Sequence, residues 1–156
     1  MISIVENVGK LLQASGGFLA TAESCTGGQI AAMFTSISGS SSWYSGGWVT
    51  YSNAMKMSQL GVPEDMLQTY GAVSPQVAEA MCVGAIKMSG ATVALSTTGI
   101  AGPSGGTDEK PVGTVFVGCA TGNGIDVRSF LFSGNRNQVQ EQTVKAALQL
   151  LHENIS

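Results

Sequence analysis

The sequence predicts an α/β fold in which helices cover both faces of a mixed β-sheet. Three observations lead to this prediction. Segments with helical apolar spacing alternate with short apolar runs that are typical of buried strands. Residues 121–124, Thr-Gly-Asn-Gly, separate two β-prone runs by a tight hairpin signal, which predicts an antiparallel strand pair. The length of 156 residues lies within the roughly 100–200 residues of one domain, so we expect a single domain over residues 1–156.

The first third of the chain alternates between helices and strands. Apolar residues three and four apart predict a helix over residues 2–14, which a pair of glycines then ends. The apolar run 18–21 predicts a strand, and renewed helical spacing at 28–34 predicts a second helix. Ser and Gly dominate residues 36–47, which predicts a loop, whereas residues 48–51 predict a strand.

The remainder of the chain predicts four helices, three strands and one long loop. Pro63 fits the first turn of a short helix, and Ser74-Pro75 provides a cap followed by proline at the first helical position. Asn135 is a further candidate N-cap. The predicted elements are helices over 53–60, from Pro63, over 75–90 and from Asn135, strands over 91–97, 112–120 and 125–132, and a Gly/Pro loop over 98–111.

Composition excludes several classes of function. A net charge of −3 with seven Lys and Arg residues argues against a nucleic-acid partner, which needs a basic surface. No apolar run approaches the roughly 18 residues of a membrane span, so we expect a soluble cytoplasmic protein without a membrane partner. Three widely spaced cysteines and the single His152 form neither a disulfide framework nor a metal site. His152 lies near the C-terminus, which argues against a Ser-His-Asp arrangement.

The segment 23–28, Glu-Ser-Cys-Thr-Gly-Gly, places a hydroxyl where a strand ends and a helix begins. Free N–H groups at such a position can hold a phosphate or a developing oxyanion. Two interpretations remain open: Ser24 or Thr26 caps the helix, or Ser24 is a functional serine. Cys25 is a rival nucleophile, but no cation or base close in sequence would lower the pKa of its thiol.

Two cations are candidates for chemistry. Lys56 is either a solvated surface residue or, in its neutral form, the general base for a serine. At a reference pKa of about 10.4 it would be neutral in about one molecule in 2,500 at pH 7, so a base requires a pKa lowered by about two to three units. The apolar neighbours Met55 and Met57 would help by closing over the ammonium. Arg136 lies in the first turn of the last helix, where the macrodipole disfavours a cation, which indicates either an anionic ligand or a carboxylate partner.

Six ordered blocks resemble the CinA C-terminal domain family, the nicotinamide-nucleotide amidases. The similarity runs from about residue 5 to residue 151, and the blocks together are far more specific than any one of them. The blocks are residues 23–28, Val49-x-Tyr51-Ser52-Asn53-x-x-Lys56, Gly71-Ala72-Val73-Ser74, Thr98-Gly99-Ile100-Ala101-Gly102-Pro103, Lys110-Pro111-Val112-Gly113-Thr114-Val115 and Gly134-x-Arg136.

The resemblance implies a three-layer α/β/α sandwich that hydrolyses the carboxamide of nicotinamide mononucleotide (NMN) to nicotinate mononucleotide and ammonia, in pyridine-nucleotide recycling. It implies Ser24 as nucleophile, Lys56 as general base and Tyr51 as a proton relay or orienting partner. It also implies that the chain needs no metal or cofactor and forms a homo-oligomer. The expected substrate-binding residues are Thr26, Gly27, Gly28, Gly99, Gly102, Gly105, Gly106 and Arg136, with Lys110 behind them.

Two other classes of function remain open. One is a catalytically inactive module that binds a phosphometabolite or regulates another protein. The other is an interaction protein of the same fold. The presence of Ser24, Tyr51 and Lys56 favours the enzyme, because a decayed site would lose such residues. The glycine-rich loop 98–111 likewise allows two interpretations, a flexible surface loop or a segment that encloses a ligand.

Overall fold

The computed structural model describes all residues, 1–156, and contains one five-stranded mixed sheet with the strand order β2-β1-β3-β4-β5. The predicted α/β class with a mixed sheet is confirmed. The elements are α1 (Ile2–Ser15), β1 (Leu19–Glu23), α2 (Gln29–Thr35), β2 (Tyr44–Val49), α3 (Asn53–Leu60), α4 (Glu64–Tyr70), α5 (Pro75–Ser89), β3 (Val93–Gly99), β4 (Thr114–Thr121), β5 (Gly124–Leu131) and α6 (Arg136–Ile155), with a short 3₁₀ turn at Ser40–Ser42.

The sheet separates two apolar cores. Successive side chains of a strand point to opposite faces, and here both faces are apolar. Leu19 and Leu95 join a core that α1, α2 and α6 cover, whereas Ala20 and Ala94 join a second core under α3, α4 and α5. The architecture is therefore an α/β/α arrangement of three layers. None of the six helices is long and apolar enough to cross a lipid bilayer.

The direction of the strands determines where a site can form. β1 pairs in parallel with β2 on one side and with β3 on the other, so the carboxyl ends of these three strands lie at one edge of the sheet. Two further hydrogen bonds continue the pairing beyond the strands: the N–H of Thr50 donates to the carbonyl of Glu23, and the N–H of Ser24 donates to the carbonyl of Thr97. Ligands in open α/β sheets bind at such an edge.

β2 begins at Tyr44, so the loop predicted over residues 36–47 is wrong for its last four residues. The phenol of Tyr44 lies 2.6 Å from the hydroxyl of Thr21 on β1, and its ring packs against Phe34. Gly47 lies so close to Thr21 that a Cβ atom would overlap the threonine side chain. Gly47 thus allows close approach of two strands and does not mark a turn.

Candidate active site

A cavity of about 230 Å³ opens at the carboxyl edge of the sheet. Its walls combine the turn after β1, the start of α3, the end of β3 and the first residue of α6. The lining residues with side chains relevant to chemistry are Ser24, Cys25, Tyr51, Asn53, Lys56 and Arg136. Ser24, Lys56 and the rival nucleophile Cys25 were predicted from their segments, and Arg136 from its position in the first turn of the last helix. Tyr51 was expected from the family resemblance.

Lys56 and Ser24 form the central contact of the cavity. The Nζ of Lys56 lies 2.9 Å from the Oγ of Ser24, 2.8 Å from the carbonyl oxygen of Thr50 and 3.4 Å from that of Tyr51. α3 holds the lysine in place because the hydroxyl of Ser52 caps the helix by accepting the N–H of Met55. Residues 32 positions apart in sequence therefore meet through adjacent strand ends.

These three oxygens suit both protonation states of the lysine. A charged ammonium has three hydrogens, one for each oxygen. A neutral amine has two hydrogens, which the carbonyls of Thr50 and Tyr51 can accept, and a lone pair that is then directed at the hydroxyl of Ser24. The geometry is thus that of a nucleophile and its base within hydrogen-bonding distance.

Burial lowers the pKa of Lys56 to about 8, because the ammonium loses its water. The side chain is only 1% exposed. The expected screen of methionines is wrong for Met55, which is 42% exposed. Polar groups of the turn after β2 and Ser24 surround the nitrogen instead.

Cys25 lacks the properties of a nucleophile. Burial raises the pKa of its thiol to about 12, so that the thiolate is scarce at neutral pH. The Nζ of Lys56 donates its hydrogen bond to Ser24 and none to the sulfur. Of the two neighbouring residues, the structure therefore favours Ser24 over Cys25 as the nucleophile.

The turn between β1 and α2 presents unpaired backbone donors. Gly27 and Gly28 adopt φ angles of 57° and 99°, a left-handed backbone that favours glycine. The N–H groups of Cys25, Thr26 and Gly28 donate to no acceptor in the protein. Donors beside a nucleophilic oxygen are suited to hold an oxyanion.

Neither Ser24 nor Thr26 caps α2, so the capping interpretation of these residues is wrong. Gly28 occupies the N-cap position and offers no side chain. The carboxylate of Glu23 accepts the N–H groups of Ile30 and Ala31 in its place, at 2.9 and 3.1 Å. This role of Glu23 was not expected, although a glutamate at the end of an apolar strand and before a helix was a signal for one.

Arg136 carries a charge without a carboxylate partner. Its Nη1 donates to the carbonyl of Gly102 and its Nη2 to the hydroxyl of Tyr51, both at 2.8 Å. No acidic oxygen lies within 4.0 Å of the guanidinium, so the alternative of an ion pair is wrong. The hydroxyl of Tyr51 is thus held at Arg136 and makes no hydrogen bond with Ser24 or Lys56.

The other predicted binding residues divide into two groups. Gly99 lines the cavity, and Gly102 reaches it through the carbonyl that binds Arg136. The remaining ones are not among the lining residues: Lys110 donates to the carbonyl of Tyr70, and Thr26 is buried against Glu23. Also absent from the lining are Gly27, Gly28, Gly105 and Gly106, whereas Ala72, Val73 and Thr98 line the cavity without having been singled out as site residues.

The structure contains no group of three or more His, Cys, Asp or Glu side chains that could hold a metal ion. The polar side chains of the cavity carry two hydroxyls, a thiol, a phenol, an amide, an amine and a guanidinium. Apart from the amine, none of these is a general base near neutral pH without activation.

Burying Lys56 should make stability depend on pH. The unfolded chain holds the lysine proton with a pKa of 10.5 and the folded chain with a pKa of about 8, a difference of about 3 kcal/mol. The cost to folding is complete below about pH 8 and disappears as the pH rises toward 10.5. We expect the free-energy advantage of Lys56→Met over the wild type to shrink by about 3 kcal/mol between about pH 7 and about pH 10.

Urea unfolding of both proteins at each pH measures this difference. Both proteins carry Cys25→Ala in this experiment, because the pKa of the Cys25 thiol depends on the charge of Lys56. The contributions of the other two buried thiols, Cys82 and Cys119, are the same in both proteins and cancel in the comparison. A difference that stays constant over this range would contradict a lowered pKa at Lys56.

Comparison with known proteins places the chain in a family. Residues 1–155 match the family described as CinA C-terminal domain. The chain is 47% identical to the nicotinamide-nucleotide amidohydrolase PncC of Escherichia coli K12 over 152 residues, which is 97% of this chain and 92% of the relative. It is 50% identical over 144 residues to a CinA-like protein of Desulfotalea psychrophila, covering 92% of this chain but about a third (35%) of that longer protein.

Solved structures give the same result. The competence/damage inducible protein of Agrobacterium tumefaciens superposes with a TM-score of 0.93 at 40% identity, covering 96% of this chain and 92% of the other. A CinA superfamily protein of Klebsiella pneumoniae superposes with a TM-score of 0.94 at 34% identity, covering 99% and 96%. The chain belongs to the CinA C-terminal domain family.

Proposed function

We propose that the protein hydrolyses the carboxamide of NMN to nicotinate mononucleotide and ammonia, a step that recycles pyridine nucleotides. The observation that carries this proposal is the 2.9 Å contact between a buried lysine of lowered pKa and Ser24, in a cavity that also contains an unpaired arginine. The names of the relatives support the same reaction, since PncC of Escherichia coli is named a nicotinamide-nucleotide amidohydrolase. The expected homo-oligomer and single-domain organisation stay predictions.

In the first half of the reaction, the neutral Lys56 takes the proton of Ser24 as the oxygen attacks the carboxamide carbon. The carbonyl oxygen becomes an oxyanion, and the free N–H group of Cys25, which lines the cavity, can stabilise it. The ammonium of Lys56 then returns a proton to the amide nitrogen, the C–N bond breaks and ammonia leaves. The product of this half is an acyl ester on Ser24.

In the second half, water replaces ammonia. Lys56 again takes a proton, the resulting hydroxide attacks the ester, and the C–O bond to Ser24 breaks as the lysine returns its proton to the serine. The carbonyls of Thr50 and Tyr51 hold the amine in one position through both halves. In this half the proton moves from water to the amine of Lys56 and then to the oxygen of Ser24, and the last two atoms already lie 2.9 Å apart.

The phosphate of the substrate needs a local cation, because the protein as a whole is negative. Arg136 meets this need, since its charge has no partner and its side chain lines the cavity. In this proposal Tyr51 orients Arg136, rather than relaying a proton, because its hydroxyl contacts the guanidinium.

Replacing the nucleophile tests the proposal most directly. We expect Ser24→Ala to lose ammonia release from NMN by about three orders of magnitude or more, because no acyl ester can form. Cys25→Ala is the matched neighbour and should keep most of the activity. Purified proteins and an ammonia assay suffice, with circular dichroism to verify folding. An inactive Cys25→Ala beside an active Ser24→Ala would reassign the nucleophile, and an inactive wild type would favour the non-enzymatic module.

The general base should be visible in the pH profile. Activity should rise with pH through an apparent pKa of about 8, because only the neutral amine accepts the serine proton. Lys56→Arg keeps the charge but should be inactive throughout, since arginine stays protonated at these pH values. Rates of ammonia release between about pH 6 and about pH 10 measure both effects. Substantial activity in Lys56→Arg would eliminate lysine as the base.

The proposed role of Arg136 can be tested by comparing a nucleotide substrate with the corresponding nucleoside. Arg136→Ala should weaken NMN binding by about 1.5–3 kcal/mol, the range for hydrogen bonds to charged groups, mainly as a higher KM. Nicotinamide riboside, which has no phosphate, should be hydrolysed equally by both proteins. Steady-state kinetics on the two substrates provide the comparison. An equal loss on both would mean that Arg136 supports the structure and does not bind phosphate.

A further inference from the structure

Glu23 is a charged residue in the interior for which the reaction above has no use. It is the last residue of β1, directly precedes Ser24 and is fully buried. No Lys, Arg or His nitrogen lies within 4.0 Å of its carboxylate. A buried carboxylate without a cation is unfavourable unless hydrogen bonds compensate it.

Three donors converge on this carboxylate. Oε1 accepts the hydroxyl of Thr26 at 2.6 Å and the N–H of Ile30 at 2.9 Å, and Oε2 accepts the N–H of Ala31 at 3.1 Å. The last two are free donors of the first turn of α2, whose positive end also favours a negative charge. Glu23 thereby joins the middle of the Ser24 turn to the helix that follows it.

The hydrogen bonds also have a fixed direction. A carboxylate only accepts, so the single proton of the Thr26 hydroxyl points to Glu23. The hydroxyl of Thr97, 2.9 Å away, must then donate to Thr26. The N–H of Ser24 donates to the backbone carbonyl of the same Thr97, so β3 holds the turn at two points.

We propose that Glu23 is a positioning residue for the amidase reaction: its buried carboxylate fixes the turn that carries Ser24 and the free N–H groups of Cys25 and Thr26. The proposal rests on the proposed function. Glu23 touches neither the cavity nor Lys56, so it acts only through the geometry of the turn.

Glu23→Gln is the appropriate variant because it keeps the shape of the side chain. The amide oxygen can still accept two donors, but the NH₂ group would face the N–H of Ala31, a donor against a donor. We expect kcat to fall by about tenfold or more, the scale of a misplaced reacting group, with KM within about twofold of the wild type. The midpoint of the pH profile should not move, since Lys56 keeps its surroundings.

Thr21→Val is the matched control. Thr21 lies two residues earlier on the same strand, is buried, and loses its side-chain hydrogen bond to Tyr44 in the variant. It has no hydrogen bond to the Ser24 turn. We expect it to lower the urea midpoint while kcat per folded molecule stays near the wild-type value. Glu23→Gln that behaves in the same way, with lower stability and unchanged kcat, would overturn the proposal.

A second pair of variants covers the case in which Glu23→Gln does not fold. Thr26→Val removes one contact of the carboxylate and leaves its two bonds to α2. It should lower kcat, and Thr26→Ser, which keeps the hydroxyl, should restore it. Equal kcat in Thr26→Val and Thr26→Ser would contradict positioning through this network.

A serine-reactive fluorophosphonate separates this proposal from the proposed function. The rate at which it labels Ser24, read by mass spectrometry, should fall in Glu23→Gln and Thr26→Val but not in Thr21→Val. If the wild type is labelled but releases no ammonia from NMN, the proposed substrate is wrong. The labelling rates of the variants then still show whether Glu23 positions Ser24. A wild type that is neither labelled nor active would reject both proposals.

Discussion

Removing the Lys56 ammonium from water is the constraint on which the site depends, because oxygen atoms of the protein must replace that water. Two of the three oxygens are the backbone carbonyls of Thr50 and Tyr51, which accept no backbone N–H because the pairing of this segment with β1 ends at the N–H of Thr50. The third belongs to Ser24, which reaches the lysine because β1 ends beside β2. A lysine whose pKa is lowered to about 8 thus results from parallel strands that stop at the same level, and its burial lowers the stability of the fold.

The interior holds two ionisable side chains, Lys56 and Glu23, and each is stabilised by its own set of hydrogen bonds. Lys56 contacts carbonyls and a hydroxyl, whereas Glu23 contacts backbone N–H groups and a hydroxyl, and no ion pair joins the two. This separation has a chemical advantage. A base that shared an ion pair with a buried carboxylate would be held in its charged form, and its pKa would rise. Keeping Glu23 on the far side of the turn allows the lysine to lose its proton while the carboxylate stays satisfied.

Much of the fold could be predicted from periodicity, because α1, α5 and α6 show helical spacing and caps that the structure retains. The segments of the site were also recognisable. Ser24 precedes two glycines at the end of a strand, and the chain contains only seven Lys and Arg residues, so that Lys56 and Arg136 drew attention. The contacts between them were not, because spacing along the chain does not tell which strand ends become neighbours. The start of β2 was missed because Gly47, which suggested a loop, serves the packing of two strands. Glu23 was missed because two of its three partners are backbone amides, which every sequence has.

The position of α6 has a consequence for synthesis on the ribosome. α6 follows all five strands in chain order, yet it supplies Arg136, and its Gln140 donates to the carbonyl of Cys25 in the Ser24 turn. α1 buries its apolar stripe partly against α6, which is made much later in the chain, so α1 lacks part of its packing until α6 is available. A nascent chain that has completed the sheet still exposes that stripe. The cavity is therefore complete only when α6 has been released from the ribosome and has packed against the sheet.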